Sequence, residues 1–403
     1  MNNISITPSS SQGPRLTALG KLFIIIFIVA CCAGAYYLFV GKKSFQQAQN
    51  KAASLLGGGP QVDIGIAYGT EKQKWLEWAV TEFEKTSEGK RIKVNLIPMG
   101  SLEGAHAILN GDQRINVWSP ASSAYKDIFV QEWQVKNSND PIVKEEPLAL
   151  TPMVFVVWDE RYNAFVNKYK VMSLDTINQA LQEKTGWDAI AHQPDWGLFK
   201  FGHTHPNQSN SGLMAIVLAA YSYNHKTRDL TVSDVVNANF QQWLTNLERG
   251  TSGLSNSTGN MMREMVLKGP SSYDAMLVYE SVAIDYLKNA EGRWGNLRVV
   301  YPEYNIWNDN PYYIVNAPWS TPDQRKAADT FLAFLLSEPI QRESLKHGFR
   351  PANTNVPTKF PESPFVQLAA NGIQLDLHKV CDPPKAEVVN NLLASWQRTQ
   401  GNR

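Results

Sequence analysis

From Val62 onward the apolar and polar positions fall into a repeating strand, polar turn, helix order. Val62–Tyr68 reads as a strand, and the turn Gly69-Thr70 follows it. Trp75, Trp78, Ala79 and Phe83 recur at helical spacing and predict an amphipathic helix from about Lys72 to Lys85. Arg91–Pro98 alternates as a second strand, and Gly100-Ser101 opens a helix ending near Leu109. Asn116-Val117-Trp118 is a third, short strand leading to Ser119-Pro120. Strands alternating with helices predict a parallel sheet whose ligand crevice lies beyond the strand C-termini. The turns at Gly69-Thr70, Gly100-Ser101 and Trp118-Ser119 then converge on one crevice.

The pattern changes at Pro147–Trp158, which reads as one long apolar strand with Thr151-Pro152 in its middle. A proline there argues against a plain central strand and for a strand that leaves one domain to enter another. Helices are predicted near Leu174–Gln182 and Trp187–Ala191, and a strand over Leu198–Gly202. The polar loop His203–Gly212 then runs into the unbroken apolar segment Leu213–Tyr221, as a loop opening a buried helix does. Ser209 or Asn210 is placed to cap it, leaving first-turn N–H groups for a ligand. Further helices fall at Phe240–Glu248 and Asn260–Val266. Ala275–Val278 is a buried strand that ends in Tyr279-Glu280-Ser281, before a helix through Leu287. Leu297–Tyr301 is another strand, and Asn310–Val315 a second candidate crossing strand. Ser320-Thr321-Pro322 starts a helix, a hydroxyl cap with proline at the first position, and Asn390–Trp396 closes the chain as a short one.

Before this region, residues 1–21 form a polar tail. Leu22–Val40 is apolar and uncharged between Lys21 and Lys42-Lys43, about the 20 residues a helix needs to cross a bilayer. It is read as a single-pass membrane anchor. Ile28-Val29-Ala30-Cys31 also fits a lipoprotein signal with the lipid on Cys31. Residues 41–61, with Gly57-Gly58-Gly59-Pro60, form a linker. Lys and Arg lie on both flanks, so charge alone does not orient the span.

At 403 residues the chain has room for two domains. Lys plus Arg number 38 and Asp plus Glu 37, a net charge of +1 without a single-sign run, which excludes a nucleic-acid tail. Of the 3 Cys, Cys31 and Cys32 lie in the apolar run, leaving Cys381 alone, too few for a disulfide framework or a cysteine metal site. The 12 Trp supply large faces for cores and for a pocket wall. His203 and His205, with His192 before them, lack a third and fourth metal ligand, so no metal and no cofactor is expected. Ser209 and Ser211 beside those histidines raise a hydrolase as an alternative, but no Gly-x-Ser-x-Gly elbow is present.

Taken in order, Gly69-Thr70, Gly100-Ser101, Trp118-Ser119-Pro120, Leu148–Val154, Ser209–Gly212, Tyr279-Glu280 and Gly348–Ala352 resemble the type II extracellular solute-binding proteins of ABC transporters. The branch they are most similar to is that of the molybdate and sulfate binders and of the solute-binding modules beside von Willebrand A domains. The resemblance implies an α/β, two-lobe periplasmic-binding-protein-like type II fold behind the N-terminal helix. Residues 62–150 and 312–403, the latter with a C-terminal extension, would form lobe 1. Residues 151–311 would form lobe 2, with crossing strands at both ends. It further implies no catalysis, a globular part outside the cytoplasm, and capture of a small polar solute in the interlobe cleft. Gly69, Thr70, Gly100, Ser101, Ser119, Thr151, Ser209, Asn210 and Ser211 would line that cleft. Trp118 and Tyr279 would wall it, and Glu280 would add a carboxylate. Gly348–Pro351 is assigned to packing. Glu71 and Glu280 stand beside pocket turns that hold no Arg. That disfavours a bare oxyanion and leaves room for a neutral polyhydroxy compound, an amine or a stacked ligand. The partner is an ABC permease or another envelope protein. The alternative without transport is an interaction or signalling module on the same fold.

Intact-mass measurement of the membrane-extracted protein is expected to return the uncleaved chain. A mass starting at an acylated Cys31 would establish the lipoprotein instead.

Overall fold

The computed structural model describes residues 61–401, apart from 288–289 and 291–293, together with Val29. The polar tail, the body of the anchor and residues 41–60 of the linker lie outside the described residues. Among those described, no helix is long and apolar enough to cross a membrane.

Two sheets form the framework. The first has the order β2-β1-β3-β11-β4, from β1 (Val62–Tyr68), β2 (Ile92–Pro98), β3 (Val117–Ser119), β4 (Ile142–Pro147) and β11 (Pro311–Val315). As the strand–helix alternation predicts, β1 pairs in parallel with β2 and β3. The chain returns to add β11 antiparallel between β3 and β4. The second sheet has the order β7-β8-β6-β9, from β6 (Met153–Trp158), β7 (Phe201–Gly202), β8 (Ala275–Tyr279) and β9 (Leu297–Val300). Every residue of β6 and β8 is buried, which explains their unbroken apolar runs.

The run Pro147–Trp158 is not one strand. It is broken by Thr151-Pro152 into the short β5 (Ala149–Leu150) and then β6, because Pro152 has no N–H to give a ladder. The crossing itself lies at this break. Thr151 N–H donates to the Asn308 carbonyl (3.0 Å), Asn308 N–H donates back to that of Thr151 (2.9 Å), and Leu148 N–H donates to that of Asn310 (3.2 Å). Before this pairing one chain segment belongs to the first sheet and after it to the second; the other segment runs the opposite way.

Two asparagine side chains lock the crossing. Asn308 donates to the Thr151 carbonyl (3.2 Å), and Asn310 donates to that of Ala149 (3.1 Å). Asn310 has φ 43°, in the left-handed region, which asparagine tolerates better than other side chains. Its Oδ1 accepts from the Nζ of Lys72 (3.0 Å), a lysine with no exposed surface. Burial holds that ammonium below its usual pKa, opposed by the Glu71 carboxylate at 2.6 Å.

The predicted helices are present as Gln73–Phe83, Ser101–Leu109, Leu174–Leu181, Trp187–Ala191, Asn210–Asn224, Ala238–Gly250, Thr258–Lys268 and Glu280–Leu287. Pro322–Leu335 starts as expected, with Thr321 accepting from the Gln324 N–H and Pro at the first position. The Asn210–Asn224 helix is buried at every position from Asn210 to Tyr221. That fits its apolar run, and Gly212 allows the close packing: a Cβ there would stand 2.2 Å from the Thr204 carbonyl oxygen. The strand expected at Leu198–Gly202 shrinks to its last two residues.

The C-terminal extension does not stay with the first sheet. Pro322–Leu335 packs on β1 and β11, but Ala386–Gly401 packs against Asn210–Asn224, Val232–Val236 and Ala238–Gly250 on the second-sheet side. Buried Glu248 accepts from Trp396 Nε1 (2.6 Å), and the Tyr221 hydroxyl donates to the Asp382 carbonyl (2.7 Å). Residues 312–403 therefore serve both sides. β12 (Lys379–Val380) continues this by pairing with β10 (Tyr304–Asn305).

Asn310→Ala removes the amide that bridges Lys72 and Ala149 and forces alanine to positive φ. Urea unfolding is expected to show a loss of about 2–4 kcal/mol. Asn310→Gly, which relieves only the backbone, is expected to recover about 1 kcal/mol of it.

Candidate functional site

Turns from both sheets open onto one cleft of about 250 Å³. From the first sheet come Gly69, Thr70 and Glu71 after β1, and Met99, Gly100 and Ser101 after β2. From the second come Gln208, Ser209 and Asn210 at one helix start, Asn256–Asn260 at another, and Tyr279 with Ser281 after β8. The convergence expected of Gly69-Thr70, Gly100-Ser101 and Ser209-Asn210 is thus what the chain builds. Gly100 lies close to the facing turn, since a Cβ there would stand 3.1 Å from the Gln208 carbonyl oxygen.

The helix starts leave donors available. Among the described residues nothing accepts from the backbone N–H groups of Thr70, Ser101, Asn210 and Thr258. First-turn amides of this kind carry the positive end of the helix dipole and suit an anionic or strongly polar group. Ser209 occupies the cap position of its helix, but its hydroxyl caps nothing. It contacts the Ser211 hydroxyl (3.3 Å), which in turn meets those of Thr204 (2.6 Å) and Thr258 (2.6 Å). This hydroxyl chain ties the two second-sheet turns to each other.

Asn210 is the most constrained polar group in the cleft. Its Nδ2 donates to the Tyr279 hydroxyl (2.9 Å) and to Asn308 Oδ1 (2.8 Å), while its buried Oδ1 has no partner among the described residues. Burial, and then the Glu71 carboxylate, push the Tyr279 phenol well above its usual pKa, so it stays protonated.

Five residues expected at the cleft lie behind its wall. Trp118 is buried, and its indole donates to the Ser101 carbonyl (3.1 Å), holding that turn. Ser119 is fully buried, its carbonyl accepting from the Gly69 N–H (3.1 Å). Thr151 sits in the crossing, where its hydroxyl accepts from the Ser281 N–H (3.0 Å). Ser211 is taken up by the hydroxyl chain. Glu280 turns away from the cleft: its two oxygens accept from Nε and Nη2 of Arg350 (2.8 Å each), and Tyr301 donates to it as well. Each belongs to the support of the site rather than its surface.

The ion pairs correct one sequence expectation. Neither Glu71 nor Glu280 stands uncompensated, because Lys72 and Arg350 reach them from outside the pocket turns. Gly348–Pro351 packs, as assigned, and also supplies the Arg350 guanidinium. Sequence reasoning missed Lys72, Arg350 and the cleft-lining Arg263. The adjacency Glu71-Lys72 was a signal for the first; nothing local signalled the other two.

The Glu71 carboxylate folds back over the Gly69 turn: a Cβ at Gly69 would stand 2.3 Å from Glu71 Oε1, so a side chain there would displace the carboxylate end. Across the cleft mouth Lys74 pairs with Asp285 (2.5 Å), an exposed contact worth little. His347 also lines the cleft, and burial holds its imidazole below the usual pKa, so it is neutral at pH 7.

The histidine loop is structural. His203 Nε2 lies 2.9 Å from Glu248 and its Nδ1 2.7 Å from the Thr204 carbonyl, while His205 packs edge-on against Trp396. The polar neighbours of the Ser211 hydroxyl are other hydroxyls. Among the described residues no group of His, Cys, Asp or Glu is placed to hold a metal ion.

Comparison with known proteins agrees with this geometry. No curated protein matches the chain. Solved structures similar to it include the sulfate-binding protein SubI from Mycobacterium tuberculosis H37Rv (TM-score 0.53, 14% identity, 85% of this chain and 99% of that one). Maltose-bound MalE3 from T. maritima (0.54, 15%, 84% and 99%) and iron-bound HitA from Pseudomonas aeruginosa (0.55, 15%, 84% and 99%) are also similar. At such identities the likeness is one of fold. The model of the bacterial extracellular solute-binding protein family matches residues 64–350, and the chain belongs to that family.

Proposed function

We propose that this chain captures a small polar solute outside the cytoplasm, in the cleft between its two sheets, and presents it to an ABC-type permease. The apolar, uncharged run 22–40 supports a membrane tether that keeps the binding part beside that permease. One observation carries the reading. Backbone donors from turns on both sheets, and the unpaired Oδ1 of Asn210, meet in a single cleft. Bonds from such donors to a charged ligand group contribute roughly 1.5–3 kcal/mol each.

The two sheets are joined by the paired crossing strands, by the returning C-terminal segment through Arg350 and, at the cleft mouth, by the exposed Lys74–Asp285 contact. That layout suits hinge closure around a solute. Gly69, Thr70, Gly100, Ser101, Ser209, Asn210 and Tyr279 are the contacts proposed for it. Trp118, Ser119, Thr151, Ser211 and Glu280 are proposed to act through them. The order of motifs along the chain favours the molybdate and sulfate branch for the scaffold.

Thermal melting of the full chain across a broad metabolite library tests the reading. A solute at a hundredfold excess over its Kd stabilises by about 2.7 kcal/mol, which is expected to raise Tm by about 2–5 °C. No shift with any solute, together with an envelope protein recovered by crosslinking, would instead favour the interaction module.

A further inference from the structure

We infer that the solute is a polyhydroxylated organic monoanion, its charged group in the cleft and its hydroxyls along an amide-lined groove beside it, and not a bare tetrahedral oxyanion. The inference rests on the solute-binding reading above and names the class of solute.

The first observation is an acceptor that the protein does not satisfy. Asn308 donates its Nδ2 to the Thr151 carbonyl, so its Oδ1 faces Asn210. Asn210 must answer with its own Nδ2, at 2.8 Å, which also donates to Tyr279. The amide orientation is therefore set by the network, and Oδ1 is the atom left without a donor in a residue 4% exposed. Buried acceptors of this kind take a donor, and a hydroxyl or N–H of the ligand supplies one.

A second acceptor stands close by. Glu71 lines the cleft, gives Oε1 to Lys72 at 2.6 Å, and receives no donor at Oε2 among the described residues. Its charge is felt at Tyr279, the same phenol that Asn210 bonds. Fully deprotonated oxygens of a sulfate-like ion placed against these two acceptors would repel both. A ligand with hydroxyls satisfies them.

Charge fixes the other half of the class. Of the cleft-lining ionic groups, Glu71 is paired with Lys72 and Lys74 with Asp285. Arg263 makes no ion pair among the described residues, and His347 is neutral. One positive charge is left over, together with the N–H groups of the helix starts, which matches a single negative charge.

A groove of about 930 Å³ continues from the cleft past Gly100 and Gln208. Asn110, Asn207, Gln208, Asn256 and Asn260 line it, from three separate segments, and none of their side chains bonds to a described residue. No Lys or Arg lines the groove, and its Glu103 is held by the Gly100 N–H (3.1 Å). A carboxamide both donates and accepts, as a hydroxyl does, so a row of free amides is complementary to a polyol chain.

Isothermal titration of the purified full chain with sodium gluconate, glucose and sodium sulfate tests this. Gluconate is expected to bind roughly tenfold or more tighter than either other probe, since it alone supplies charge and donors together. The double substitution Asn110→Ala, Asn207→Ala, at groove residues that do not line the cleft, is expected to weaken gluconate roughly threefold to tenfold without changing the response to sulfate. Sulfate binding as tightly as gluconate would overturn the inference, as would glucose doing so, or amide variants with no effect. If gluconate fails while another solute raises Tm in the melting screen, the inference falls and the solute-binding reading stands. If no solute raises Tm, both fall.

Discussion

The structure depends on two asparagines in one crossing strand. Asn308 and Asn310 are fully buried, and each bonds the backbone of the opposite crossing segment while reaching outward to one wall of the cleft. Asn308 takes the amide of Asn210 and so sets the Ser209–Gly212 turn of the second sheet. Asn310 takes the ammonium of Lys72, which holds Glu71 over the Gly69-Thr70 turn of the first. The two faces of the site are thereby aligned from a single strand. Buried polar groups of this sort are costly when half satisfied, so they specify one arrangement.

That alignment explains why the cleft can be polar without being strongly charged. Glu71 at its edge is matched by Lys72 behind the turn, and Glu280, behind the wall, is held by Arg350. Such pairs contribute little net stability, because desolvation offsets attraction. Their effect is on the electrostatics: the helix starts face the solute with their amides while the acidic side chains are held. Arg350 also bonds the Gln374 carbonyl (2.6 Å) and donates to that of Leu375, which brings the C-terminal extension to the back of the same wall. With Trp396 anchored on Glu248, that extension is part of the binding fold and not an appendage.

Much of this was legible in the sequence. Strands β1, β2 and β3 and their turns follow from local alternation, glycine and hydroxyl residues, and the apolar run after Gly212 has room only for a buried helix. The crossing was signalled by Thr151-Pro152, although its extent was not, because a proline marks where a ladder stops and not what pairs across it. What local pattern does not carry is partnership over long separations. Arg350 meets Glu280, and Lys72 meets Asn310, only because the chain returns to the first sheet after building the second. Trp118 and Glu280 look like pocket residues from their places at strand ends. They are drawn behind the wall because Trp118 finds the Ser101 carbonyl and Glu280 the Arg350 guanidinium.

The most direct test is a crystal structure of the protein with its bound solute. The account predicts density between the Gly69–Glu71 and Ser209–Asn210 turns, with a ligand donor within hydrogen-bond distance of Asn210 Oδ1 and the Asn308–Asn210 bond intact. A solute seated away from these turns, or one that leaves Asn210 Oδ1 without a partner, would contradict it.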